Sequence, residues 1–274
     1  MPPDSLQSPQ SQPSQIAVIY RTYAALSATL PLDAQSGLGG KLLYAAEIGG
    51  AGLDSGLDSG RDLLFAANIS GAASLAASAD PIVQRQAIRD GVVDFVVNSL
   101  EEALRILKNE IRKRQAVSVG VAVDPGLLVA QMLDRGVLPD LLPPSSEPEH
   151  GQLGQFLVDG AVQIVRPDLS QPDLSQPDEK RAFITWSVDR EFSRWLPRLD
   201  ACVLRLLPGG DLVRERWVRL APRYLGRLVQ REHGVALDEA EAATLREEAL
   251  KLLAEHSKDE GGVPKIEIGR QRVA

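Results

Sequence analysis

Between residues 41 and 142 the apolar positions switch repeatedly between two spacings. Short apolar runs at 41–46, 72–78, 92–97, 116–123 and 137–142 are bounded by Gly, Pro or Asp, as buried strands are. The stretches between them repeat apolar residues every three or four positions, as helices do. One helix begins near Arg61 and ends at Gly71. A second starts on the N-cap pair Asp80-Pro81 and ends at Gly91. A third, capped by Ser99, carries Glu101 and Glu102 in its first turn and Arg112, Lys113 and Arg114 in its last, which complements the helix dipole. A fourth starts on Asp124-Pro125 and ends at Gly136. Five strands with four short helical crossovers predict a parallel sheet with helices on both faces.

The pattern differs on either side. Residues 1–14 are Pro-, Gln- and Ser-rich and read as a disordered tail, and 15–35 as an N-terminal amphipathic helix using Ile16, Ile19, Tyr23 and Leu26. The α/β unit is assigned to 36–160. Residues 161–180, which repeat PDLSQ, read as an exposed linker, and 181–274 as a helical region. Helices are expected there at 183–207, broken near Pro197, at 211–232, kinked at Pro222, and at 238–256, capped by Asp238 with Glu241 at N3. Residues 263–274 are polar and show no clear period. The expected fold class is therefore α/β, a doubly wound parallel Rossmann-like sheet with an α-helical C-terminal region.

Composition narrows the choice of partners. Of 274 residues, 44% are hydrophobic and 24% charged, as in ordinary globular proteins. A net charge of −7 argues against nucleic acid or an anionic membrane surface as the main partner. The one cysteine, Cys202, excludes an intrachain disulfide and a cysteine-based zinc site, and His150, His233 and His256 are too far apart in sequence to suggest a metal centre. Catalytic and metal assignments are therefore none. No run reaches membrane-spanning length and the N-terminus does not resemble a signal peptide, so the cytoplasm is the expected compartment.

After the first strand, residues 49–60 form a Gly-rich loop with GLDS repeated twice. Such a loop leading into a helix can cradle phosphates with backbone N–H groups, and is also a common connector. Asp80 and Asp124 are each explained by capping. Arg216, Arg219, Arg223 and Arg227 share roughly one helix face, which could hold a carboxylate or phosphate; a solvated face paired with acidic neighbours is the simpler reading. Trp186, Trp195 and Trp217 read as packing anchors, and Cys202 as a small core residue.

Five segments, GKLLYAAEIGGAG, ANISGAASL, VVDFVVNSLEEALRI, AVSVGVAVDP and MLDRGVLPDLL, resemble the NAD-binding domain of the urocanase (urocanate hydratase) family in order and spacing. The resemblance covers about a hundred residues. It implies a dinucleotide ligand, NAD, which that family uses as an electrophile to hydrate urocanate in histidine degradation. It places the phosphate loop on Gly49, Gly50 and Gly52, and the ribose ligand and the arginine that follows it on Asp80 and Arg85. The loop after the fourth strand falls on Asp124, where the family has Asn-Ala, and the loop after the fifth on Ser145 and Ser146. Here the phosphate loop is longer, with Asp54 and Asp58 inserted, and much of the family's substrate machinery has no counterpart. The resemblance therefore implies an NAD-binding protein lacking hydratase (lyase) activity. The alternative is a non-enzymatic remnant of the fold that serves assembly with an empty pocket. Helices after the fifth strand are expected to cover the sheet or to make a homodimer contact.

Overall fold

A computed structural model of the chain describes residues 14–49, 60–144, 152–165, 181–256 and 265–271. Its first element is helix α1 (Gln15–Thr29), begun by Ser14, whose hydroxyl accepts from Ala17 N. Then come β1 (Leu42–Glu47), α2 (Gly60–Ser70), β2 (Ala73–Ala77), α3 (Pro81–Arg89), β3 (Phe95–Val97), α4 (Leu100–Lys113), β4 (Val117–Val121), α5 (Pro125–Asp134) and β5 (Leu141–Leu142). The alternation and caps follow the sequence expectation. The sheet also gains a sixth strand, since after α6 (Gln152–Val158) the pair β6 (Val162–Gln163) hydrogen-bonds alongside β5. Residues 162 and 163, expected to open the linker, are thus part of the sheet. At two residues β6 is too short for a period to register.

All six strands are parallel, in the order β3-β4-β2-β1-β5-β6. From β1 the chain steps one way to β2, and from β5 it steps the other way to β6. The topological switch therefore lies between β1 and β5, where doubly wound sheets leave a crevice outside the carboxyl ends.

Each face of the sheet builds its own core because side chains alternate along a strand. Leu43 and Ala45 join α1, α2 and Ala87 of α3 on one face. Leu42 and Tyr44 join Leu107 of α4, Met132 of α5 and Phe156 of α6 on the other. The amino ends are pinned by side chains. Asp140 accepts from Leu42 N at 2.8 Å and from Lys41 at 2.9 Å, and Asp94 accepts from Ser118 N at 2.8 Å.

Beyond residue 180 the expectation of helices alone is corrected. Residues 182–188, expected to open a helix, form strand β7 (Ala182–Val188). The run FITWSV is β-branched and aromatic, and these residues suit a half-buried pleat better than a helix. Pro197 stands in the first turn of α7 (Leu196–Leu206), so it starts that helix where a kink was expected. The next helix, α8 (Leu212–Leu225), passes through Pro222 and stops at Gly226, where φ is 50°. The expected helix thus ends early: residues 226–229 form a short 3-10 turn, and Glu232 opens β8 (Glu232–Leu237), followed by the anticipated α9 (Glu239–His256) and then β9 (Ile266–Gln271). β8 and β9 flank β7 antiparallel in a second, three-stranded sheet.

This C-terminal layer completes the core on the α1/α2 face. The rings of Tyr20 and Trp217 meet edge-on at 5.0 Å, those of Tyr20 and Phe183 lie tilted at 5.3 Å, and the Tyr23 hydroxyl donates to Val213 O at 2.8 Å. Trp217 and Trp186 are both buried, and their indole N–H groups donate to Gly234 O and to Asp200. With Trp195 also buried, the three tryptophans are packing anchors, as expected from the sequence. Arg214 is 2% exposed and is held by Asp211 and Glu241, both at 2.6 Å. That pairing ties α8 to α9.

Candidate functional site: the carboxyl rim of the parallel sheet

The residues singled out in the sequence follow the carboxyl ends of four different strands. Gly49 lies two residues past β1, Asp80 three past β2, and Asp124 three past β4. Ser145 and Ser146 come shortly after β5. Because the sheet is parallel, these loops emerge on one rim, and those of β1 and β5 bracket the switch point. Gly50, Gly52, Ser145 and Ser146, with the loop carboxylates Asp54 and Asp58, lie outside the described residues, as does the rest of the linker at 166–180.

The described part of the phosphate loop is tightly fitted. A Cβ on Gly49 would come within 2.5 Å of Val83 Cγ1, so the exit from β1 packs directly on the first turn of α3. Gly60, the first residue of α2, is closer still. A Cβ there would overlap Glu47 O and sit 2.9 Å from Ala45 O. Only glycine allows the helix to start against the strand it has just left, the role of the last glycine in a dinucleotide-binding turn. Sequence reading placed Gly60 at the end of a flexible loop and missed this role. Ala46 is strained, with φ at 59°, and the register of β1 on β2 shifts between Tyr44 and Glu47. A left-handed alanine and a bulge at a strand end re-aim the chain, and both features concentrate near binding sites.

The helix N-termini on this rim differ in what they offer an anion. Asp80 Oδ1 accepts from Ile82 N at 2.7 Å, and Asp124 Oδ1 accepts from Gly126 N at 2.8 Å and Leu127 N at 3.2 Å. Both carboxylates therefore cap their helices and occupy donors that a phosphate would use. Asp80 is exposed, and its cap bond uses one oxygen only. Arg85 is exposed on α3, on the helix that Asp80 caps.

The start of α2 also carries a carboxylate. Asp62 is 4% exposed and accepts from Gln15 Nε2 at 3.0 Å. Burial pushes its pKa up, while Gln15 and Arg61 pull it back in part. Beneath the rim Tyr44 is buried, with its hydroxyl 3.4 Å from Pro125 O.

Residues 16–150 match the family model of the urocanase Rossmann-like domain. That stretch is a urocanase-type Rossmann-like domain. The urocanase match begins inside α1, so the helix set apart in the sequence is continuous with the matched stretch. It runs through every candidate residue from Gly49 to Ser146 and stops before the C-terminal α+β layer. That family is associated with NAD.

Among the described residues no group of three or more His, Cys, Asp or Glu could hold a metal ion, and no helix is long and apolar enough to cross a membrane. His233 Nδ1 lies 2.8 Å from Asp200 Oδ1, but the pair is buried among Trp186, Trp217 and Val218, with space beside it for little more than a water. Cys202 is buried in the core, and its thiol is pushed up by burial.

Proposed function

We propose that the chain is a urocanase-like dinucleotide-binding protein that holds NAD across the carboxyl rim and does not hydrate urocanate. The observation supporting this reading is that the loops after β1, β2, β4 and β5 leave the same rim, those of β1 and β5 bracketing the switch point, with Gly60 permitting the close strand-to-helix turn. In it, the backbone of Gly49, Gly50 and Gly52 cradles the pyrophosphate at the start of α2. The second oxygen of Asp80 accepts from a ribose hydroxyl and Arg85 lies near the adenosine end, while Asp124, Ser145 and Ser146 border the nicotinamide side. When bound, NAD supplies an electrophilic ring. The chain's own contribution is to position it, and no described side chain on the rim is placed as an acid, base or nucleophile toward it.

Protein purified without added nucleotide is expected to release NAD on denaturation, or to gain a saturable rise in melting temperature when NAD is added. At 100 times its Kd a ligand stabilises the fold by about 2.7 kcal/mol. Gly50→Val is expected to remove that rise without unfolding the protein. If neither release nor rise is seen at millimolar NAD, the binding reading is wrong. A fold whose helix caps occupy its anion donors then serves as an interaction module. Its retained urocanase sheet would act as scaffold for partner or homodimer contacts, and chromatography with light scattering would detect self-association.

A further inference from the structure

The opposite rim carries a second cleft, of about 520 Å³, which the dinucleotide reading does not use. Its floor is formed by the segments entering β2 and β4, with Gly71, Arg114, Gln115 and Ala116, and one wall by residues 32–36. Its roof is α8, from which Arg216, Arg219 and Arg223 line it together with Tyr224. Residues 216, 219 and 223 are spaced three and four apart, so they share one helix face.

Arginine is concentrated here beyond what its carboxylates offset. Four guanidinium groups line the cleft with two carboxylates, Asp33 and Glu215. Asp33 is already engaged, since Ser36 N and Oγ and Gln35 N all donate to it, which holds its carboxyl below the usual range. Glu215 lies 3.9 Å from Arg219, a loose contact. Among the described residues, Arg114, Arg216 and Arg223 have no carboxylate within ion-pair distance. Arg223 lies over the Tyr224 ring at 5.5 Å, and both it and Arg219 are exposed to the opening.

Arg216 reaches from α8 down to the floor. Its Nε donates to Ile69 O at 2.7 Å, in the last turn of α2. A Cβ on Gly37 would lie 2.7 Å from its Cζ, and one on Gly71 2.7 Å from its Nη2. Both glycines have positive φ, of 65° and 95°. The backbone thus leaves a slot the size of a guanidinium and holds it half-buried, with carbonyl oxygens as its hydrogen-bond partners.

We infer that this cleft binds a small oxyanionic molecule, carrying a phosphate or two or more carboxylates, through Arg114, Arg216, Arg219 and Arg223. A guanidinium fork matches either oxyanion in bidentate geometry, and the volume suits a small molecule. A cleft with excess positive charge in a chain of net charge −7 also concentrates anions locally.

The test uses the full chain and three titrations at equal ionic strength, with inorganic phosphate, citrate and chloride, read by melting temperature and calorimetry. Phosphate or citrate is expected to give a saturable rise that chloride does not, and the tighter of the two identifies the oxyanion class. The double variant Arg219→Ala/Arg223→Ala, both on the exposed face of α8, is expected to weaken that binding at least tenfold. It should keep the parental circular dichroism and any NAD response. The inference is overturned if neither anion exceeds chloride, or if the folded double variant binds as tightly as the parent. An NAD response that survives alongside a lost anion response separates this cleft from the carboxyl rim.

Discussion

The two rims of the parallel sheet handle charge in opposite ways. On the carboxyl rim, Asp80 and Asp124 cap α3 and α5, and Asp62 is buried in the first turn of α2, so helix N-termini meet carboxylates of the chain itself. On the amino rim, Arg216 meets the carbonyl end of α2, and Arg114, Arg219 and Arg223 line open space. Both arrangements complement the helix dipoles. They differ in what is left over. At α3 and α5 the carboxyl rim satisfies cap donors internally, whereas the amino rim holds more guanidinium groups than described carboxylates to pair them. An anion approaching α3 or α5 must therefore compete with a built-in cap, whereas in the other cleft Arg114, Arg216 and Arg223 have no described carboxylate as ion-pair partner.

The largest expected effect falls on the support of the amino rim. Arg214→Ala would strand Asp211 and Glu241 and release α8 from α9. Breaking a buried pair in this way costs about 3–5 kcal/mol. Urea denaturation is expected to show that loss, and a cost under about 1 kcal/mol would mean that α8 is held by its apolar face alone.

Smaller effects sharpen the carboxyl rim. Asp80→Ala and Asp124→Ala should each cost about 1 kcal/mol as lost N-caps. They should differ toward NAD. A ribose hydrogen bond to a carboxylate is worth about 1.5–3 kcal/mol, so Asp80→Ala should weaken NAD binding at least tenfold. Asp124→Ala removes a negative charge and should bind NAD no more weakly than the parent. Equal NAD affinities in the two variants would leave Asp80 as a cap and nothing more.

The smallest effect concerns pH. Burial raises the pKa of Asp62, so the folded protein holds this proton more tightly than the unfolded chain. The resulting stabilisation is complete below the unfolded pKa and is lost as pH rises through the higher folded value. Asp62→Asn keeps an oxygen for Gln15 and removes the charge. Its melting temperature relative to the parent should be higher at pH 7 than at pH 4, and an equal difference at both would place the ionised carboxylate in a well-compensated site.

The parallel sheet was readable because its helices carry their punctuation in the chain. Asp80-Pro81, Ser99 and Asp124-Pro125 start helices where local chemistry says they should, and each cap is formed in the structure. The C-terminal sheet was not readable in this way. β7 becomes a strand by pairing across long sequence separations with β8 on one side and β9 on the other, as Trp186 opposite His233 and Ile268 illustrates. Propensity is a weak guide where pairing decides. At the candidate site, the residue types on the β1, β2 and β4 loops could be read, but the part played by Gly60 could not. It depends on a clash with a carbonyl that is visible only when strand and helix are brought together. The arginine face of α8 was visible as a spacing; that it closes over Arg114 and Gly71, far earlier in the chain, follows from the tertiary fold.

The hydrogen bond from Tyr23 to Val213 spans 190 positions. During synthesis at about 5–20 residues per second, α1 leaves the ribosome roughly 10–40 s before the segment that covers it. Until then the face bearing Tyr20 and Tyr23 has no Trp217 to pack against. The nascent chain therefore passes through an interval with an exposed aromatic helix, during which a chaperone or a neighbouring chain can reach it first.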